Sequence, residues 1–105
     1  MANFFLENAD LRFHFDRLDL REIVEILEHG YRQAETYDDA PRDYDEAIEY
    51  YSGALELFGK LCSERIAPRA HAIDSEGTRL IDGKVEYAAG TLENIKDLGE
   101  SGFTQ

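Results

Sequence analysis

The chain has little that could staple or anchor it. A single cysteine, Cys62, in 105 residues excludes an internal disulfide and any paired-cysteine metal or redox motif. No apolar run is long enough for a signal-peptide core or a membrane span, which points to a reducing, soluble, cytoplasmic setting. Basic residues are also scarce. Eleven Lys and Arg against 23 Asp and Glu leave a formal charge of −12, which repels phosphate backbones and anionic lipid head groups, so neither nucleic acid nor a membrane is an expected partner. With two prolines and no internal repeat or low-complexity run, nothing suggests a linker array.

What is present argues for one folded domain over 1–105. The chain is 43% hydrophobic, with six Phe and six Tyr, too apolar for disorder. At this length a domain buries roughly two thirds of its unfolded surface and needs no metal to hold a core. The expected class is mainly α: a small helical bundle with a long proline-bent helix, an extended N-terminal arm and a short β-hairpin.

Residues 1–18 read as the arm. Leu11, Phe13 and Phe15 alternate with Arg12 and His14, a period of two that suits an extended segment with one buried face and His14 in solvent. Residues 19–77 read as two long helices. Asp19 and Glu22 have capping-box spacing, and Leu20, Ile23, Val24, Leu27, Tyr31 and Ala34 form one apolar stripe, predicting a helix over 20–36 that Gly30 weakens. Turn residues including Pro41 intervene. Asp43 and Glu46 then repeat the capping spacing, and a stripe runs from Tyr44 and Ala47 through Phe58, Cys62 and Ile66 to Ile73. Pro68 removes a donor and crowds the preceding turn, so a bend is expected near 65–68. Gly53 and Gly59 mark either close approach of another segment or a bend.

After Gly77 the pattern changes. Asp82-Gly83 between 78–81 and 84–87 predicts a tight hairpin within 78–90. Such a ribbon is marginally stable alone and must lean on something. Thr91 is positioned to cap a short helix over 91–103 whose apolar positions are Leu92, Ile95 and Leu98, and Phe103 can fold back over its end.

No convergent chemistry is visible. Glu22, Glu25 and His29 fall at helical spacing, but a di-iron bundle needs paired Glu-x-x-His motifs, and none occurs. The plainer reading is a charged solvated face. His71, with Arg69 and Asp74 nearby, reads as a surface residue. Cys62 lies between Phe58 and Ile66 on the apolar stripe, where a thiol is inert packing rather than a nucleophile. There is no phosphate loop and no serine elbow.

The run Ser63-Glu64-Arg65-Ile66-Ala67-Pro68-Arg69-Ala70, then Ile73-Asp74 and Gly77, resembles the N-terminal helical domain of acyl-CoA dehydrogenases, in which a Glu-x-Ile-Ala-Pro-x-Ala helix leads to Ile-Asp and a glycine. Leu98-Gly99 followed by Ser101-Gly102-Phe103 is similar to the end of that family's next helix. The resemblance covers about residues 44–103. The hairpin segment is longer than the usual link, and the arm and first helix look like the N-terminal extension of some larger bacterial members. Gln105 stands just before the stretch that leads into the family's central β domain.

The resemblance implies an FAD-dependent parent enzyme that oxidises acyl-CoA thioesters to 2-enoyl-CoA, assembled as a homo-oligomer. The flavin site and the catalytic glutamate belong to later domains, so no catalytic, cofactor-binding or metal residue is assigned here, and the substrate-binding residues stay unknown. The domain's implied part is a wall for the acyl pocket, with Phe103 nearest to it, and packing against the rest of the subunit; alone it is expected to be inactive and to bind no FAD. Two other classes compete: a standalone acidic helical interaction module, which would lack an extended apolar patch, and an acidic decoy that imitates DNA.

Overall fold

The computed structural model describes residues 3–104; the first two residues of the expected arm and Gln105 lie outside them. The chain is mainly helical with one antiparallel hairpin, in agreement with the expected class. In order come α1 (Ala9–Arg17), α2 (Arg21–Leu27), a 3-10 segment (His29–Glu35), α3 (Tyr44–Leu61), a π turn (Cys62–Ile66), a 3-10 turn (Ala67–Arg69), α4 (Ala70–Glu76), β1 (Arg79–Ile81), β2 (Lys84–Glu86) and α5 (Ala89–Glu100).

The arm is the first correction. Rather than extended, its second half is helical. Asn8 accepts from the backbone N–H of Asp10 and Leu11 and so caps α1, with Asp10 in the first turn and Arg17 in the last complementing the helix dipole. Leu11, Phe15 and Leu18 share a helix face as easily as Leu11, Phe13 and Phe15 share a strand face, and the caps decide between the two periods. Phe15 meets Phe5 edge to face at 5.9 Å between centroids. His14 is exposed, as expected.

The first long helix is the second correction. It begins at Arg21, because Asp19 accepts from the Arg21 backbone N–H and pairs with its guanidinium instead of capping through Glu22. It ends at Leu27. His29, Gly30 and Tyr31 follow with φ of 52°, 65° and 61°, three successive left-handed residues. A left-handed conformation costs a residue bearing a β-carbon roughly 1–2 kcal/mol, and such residues normally occur singly.

The second long helix runs as one bent path. Asp43 accepts from the Glu46 N–H at 2.9 Å, as the spacing predicts, while the Glu46 carboxylate turns to Arg42 and Tyr50 instead of back to the cap. At Pro68 the ladder adjusts without breaking. The Ala67 N–H reaches back five residues to the Cys62 carbonyl, so one π turn and one 3-10 turn absorb the proline. Gly77, at φ 68° and ψ −175°, stops α4 in a region open essentially to glycine.

The two internal glycines of α3 differ. Gly53 has open space where a β-carbon would point. Gly59 is buried because the N-terminal segment lies on it: a β-carbon there would sit 2.4 Å from Asn3 Oδ1 and 2.7 Å from the Phe5 nitrogen. Phe4 N–H donates to the Gly59 carbonyl at 3.1 Å, and Asn3 Nδ2 donates to the Glu56 carbonyl at 2.9 Å.

The hairpin pairs Arg79 with Glu86, Leu80 with Val85 and Ile81 with Lys84, and positive φ at Asp82 and Gly83 gives the turn the sequence predicts. Its residues are all exposed. α5 starts two residues before the expected Thr91 cap, with Ala88 buried at its entry, and Gly99 is absorbed within it. Leu92 and Ile95 are exposed, against expectation; only Leu98 of that trio is half-buried.

Apolar burial is thin. Among the described residues the buried hydrophobic side chains are Phe5, Val24, Ala47 and Ala88. The exposed surface is 8162 Å², where a folded monomer of 12.0 kDa exposes about 6,000 Å². The radius of gyration is 18.0 Å, against about 13 Å for a compact chain of this length. The expectation of a self-sufficient core is therefore not met.

Candidate functional site

The feature that stands out is the outer face of α3 where the C-terminal turn crosses it. Ala54 and Leu55 are adjacent on α3 with Phe58 one turn further on, and the three line an open trough of about 330 Å³ with Phe103. Gly102, at φ 85°, turns the chain after α5 so that Phe103 meets Phe58 edge to face at 5.1 Å. Phe103 does fold back, but onto α3 rather than over the end of its own helix. A second depression continues past it along Leu57, Lys60, Leu61, Glu64 and Arg65. Leu55, Phe58 and Phe103 each remain more than a third exposed, so this face is apolar and uncovered.

A polar clamp fixes that geometry. Arg69, one residue after Pro68, reaches from the bend to α5: its Nη1 donates to Asp97 Oδ2 at 2.7 Å and to Asn94 Oδ1 at 2.9 Å, and its Nε lies 3.2 Å from Glu93. Arg65, one turn earlier, adds two longer contacts to the same Asp97 carboxylate. Hydrogen bonds from Arg69, then from Arg65, hold the Asp97 carboxyl below its ordinary pKa. Beneath the clamp, Gly90 lets α5 approach α4 so closely that a β-carbon there would lie 2.7 Å from Ile73 Cγ1. The proline bend therefore aims two arginines at α5, and α5 in turn delivers Phe103 to α3.

At the other end of α3, the Tyr51 hydroxyl donates to Glu28, and burial followed by that hydrogen bond pushes the phenol up to about 12. The Arg21 guanidinium lies 5.1 Å over the Tyr44 ring. These contacts tie α2 to α3 and leave no reactive group poised.

The other residues weighed from the sequence fall apart spatially or chemically. Glu22 and Glu25 are on α2, but the left-handed turn removes His29 from their face. Among the described residues no three His, Cys, Asp or Glu side chains converge where a metal could sit. His71 is exposed, while its neighbour Arg69 is committed to α5. Cys62 is half-buried, and burial raises its thiol pKa, the opposite of what a nucleophile needs.

No protein-family model, curated protein or solved structure matches this chain. The sequence pattern drew attention to Phe103 but not to its partner Phe58, which reads as an ordinary core position of an amphipathic stripe. The clamp leaves no local signal in the sequence, because Arg69 and Asp97 lie 28 residues apart.

Proposed function

We propose that this chain is the N-terminal helical domain of an FAD-dependent acyl-CoA dehydrogenase, in which it serves as packing surface and acyl-pocket wall and carries no chemistry itself. The observation that supports this reading best is the uncovered apolar face on α3, formed where the Ile-Ala-Pro helix and the closing Leu-Gly-x-x-Gly-Phe-like run meet. An interaction module complete in itself has no reason to expose about 2,000 Å² beyond the surface of a compact monomer, whereas a domain that packs against a β domain and a helical bundle does. No helix of the described residues is long and apolar enough to cross a membrane, so a bilayer-spanning role does not account for these faces.

The residues of this chain do not fit a flavin on their own. The trough is lined by Ala54, Leu55, Phe58 and Phe103, which offer no donors to a flavin's polar edge, and a formal charge of −12 opposes a pyrophosphate. On this reading FAD and acyl-CoA are held by the other domains, with Phe58 and Phe103 supplying apolar surface.

The purified chain is expected to show no flavin absorbance and no thioester oxidation, and to self-associate through its open faces. Stoichiometric FAD bound to the chain alone would overturn the assignment. A monomer that stays monodisperse at high concentration would favour the standalone interaction module.

A further inference from the structure

The sequence of residues 20–36 and the backbone they adopt disagree, and the disagreement is local. Leu20, Ile23, Val24, Leu27, Tyr31 and Ala34 specify one continuous helical stripe. The backbone instead leaves the helix after Leu27 and runs His29, Gly30 and Tyr31 through a left-handed turn. The break splits the stripe: Val24 is buried, Tyr31 and Ala34 are half-buried, yet Ile23 and Leu27 are 57% and 62% exposed. Only one of the three left-handed residues is a glycine, so His29 and Tyr31 hold a conformation that residues bearing a β-carbon rarely adopt.

We propose that residues 20–36 are a two-state segment, broken at His29–Tyr31 in the state described and able to close into one straight helix along α3. Several observations carry this. The straight helix would be ~25 Å long, matching the ~27 Å of α3, which it would meet through a short connector of turn residues. It replaces the Tyr31 N–H bond to the Glu28 carbonyl with an ordinary helical bond, at no loss of hydrogen bonding. Glu28, at φ −90° and ψ 14°, stands at the C-cap of α2 between the two halves of the segment, and its contact with Tyr51 ties the hinge to α3. In the broken state Tyr31, at φ 61°, is turned out of line with Leu27 and Val24, whereas straightening realigns it with them. The segment is thus a hinge whose position decides whether Ile23 and Leu27 belong to an exposed or a continuous face.

Two substitutions push it in opposite directions. Gly30→Ala favours the helix, and its β-carbon meets nothing closer than Arg32 Nε at 3.7 Å, so no clash confuses the result. His29→Gly favours the break, since glycine accepts the positive φ and is a poor helix former. In the full chain, 13Cα shifts and amide exchange over residues 28–35 read the two states. Gly30→Ala should raise the straight-to-broken ratio at least about fivefold, the equivalent of the Ala–Gly helix propensity difference, with helical shifts at residues 29–31. His29→Gly should move the same signals the other way and quench any millisecond exchange of the unsubstituted chain. If both variants keep left-handed shifts at residues 29–31, with Gly30→Ala merely less stable and His29→Gly merely more stable, the segment has one state and the proposal fails. Unfolding of Gly30→Ala alongside an unchanged exchange profile in His29→Gly has the same meaning.

Discussion

Gly59 and Gly53 sit six residues apart in the same helix, and substituting alanine at each should move stability in opposite directions. At Gly53 nothing lies within 4 Å of the added β-carbon. Alanine there gains about 1 kcal/mol from helix propensity and loses nothing. At Gly59 the same gain is opposed by contacts of 2.4 Å to Asn3 Oδ1, 2.7 Å to the Phe5 nitrogen and 2.9 Å to Phe5 Cβ. Two of these three contacts are with polar atoms already engaged: Asn3 Oδ1 accepts from the Phe5 and Leu6 backbone N–H groups at 3.0 Å. They cannot yield independently.

Two responses are open to the variant. Overpacking in place costs about 1–3 kcal/mol. Undocking the segment forfeits two hydrogen bonds at about 1 kcal/mol each and the burial of Phe5 at about 2 kcal/mol, partly repaid by the entropy of the freed residues. Either route cancels or outweighs the propensity gain, giving a net loss of up to about 2 kcal/mol for Gly59→Ala. Urea unfolding followed by circular dichroism measures both variants, and loss of amide protection at Phe4 would show undocking directly. A Gly59→Ala variant as stabilised as Gly53→Ala would refute the reasoning that the N-terminal segment is docked on α3.

Asp97 gives a pH dependence of defined sign. Its carboxyl is held below its ordinary pKa, so its contribution is complete above the unfolded-state value of about 3.9 and is lost as pH falls through the lower folded value. Asp97→Asn should therefore flatten the loss of stability below about pH 4 in acid titrations, and an unchanged acid limb would speak against the clamp. Gly77→Ala meets no atom within 4 Å, so its predicted loss of about 1–3 kcal/mol in urea unfolding is backbone strain alone. Phe58→Ser should free Phe103, visible as averaged ring shifts at Phe103 in NMR spectra, while leaving the buried set of Phe5, Val24, Ala47 and Ala88 intact.

Much of the fold is legible in the residues, and the failures share a cause. The Asp43 cap, the Asp82-Gly83 turn, the Gly77 stop and the accommodated Pro68 all follow from local chemistry at one or a few residues. The arm is ambiguous in sequence because its apolar residues fit periods of two and of 3.6, and the deciding cap, Asn8, lies outside the apolar stripe. The helix over 20–36 failed because a strong stripe says nothing about the backbone at Glu28 to Tyr31. At the candidate site, Phe103 was visible from its glycine-flanked position, but the Arg69 clamp and the Phe58 contact depend on residues far apart in sequence. The thin core is not legible in the sequence either. A stripe predicts that a face is apolar, not that its partner lies within the same chain.

The uncovered face of α3 is the feature on which the proposed place of this chain in a larger flavoenzyme subunit rests. Its most direct test is calorimetric titration of the chain into the combined β domain and C-terminal bundle of an acyl-CoA dehydrogenase subunit. The account predicts one-to-one binding with a negative heat-capacity change, from burial of apolar surface, that weakens at least tenfold with Phe58→Asp. No binding by the unsubstituted chain, or binding indifferent to Phe58→Asp, would contradict it.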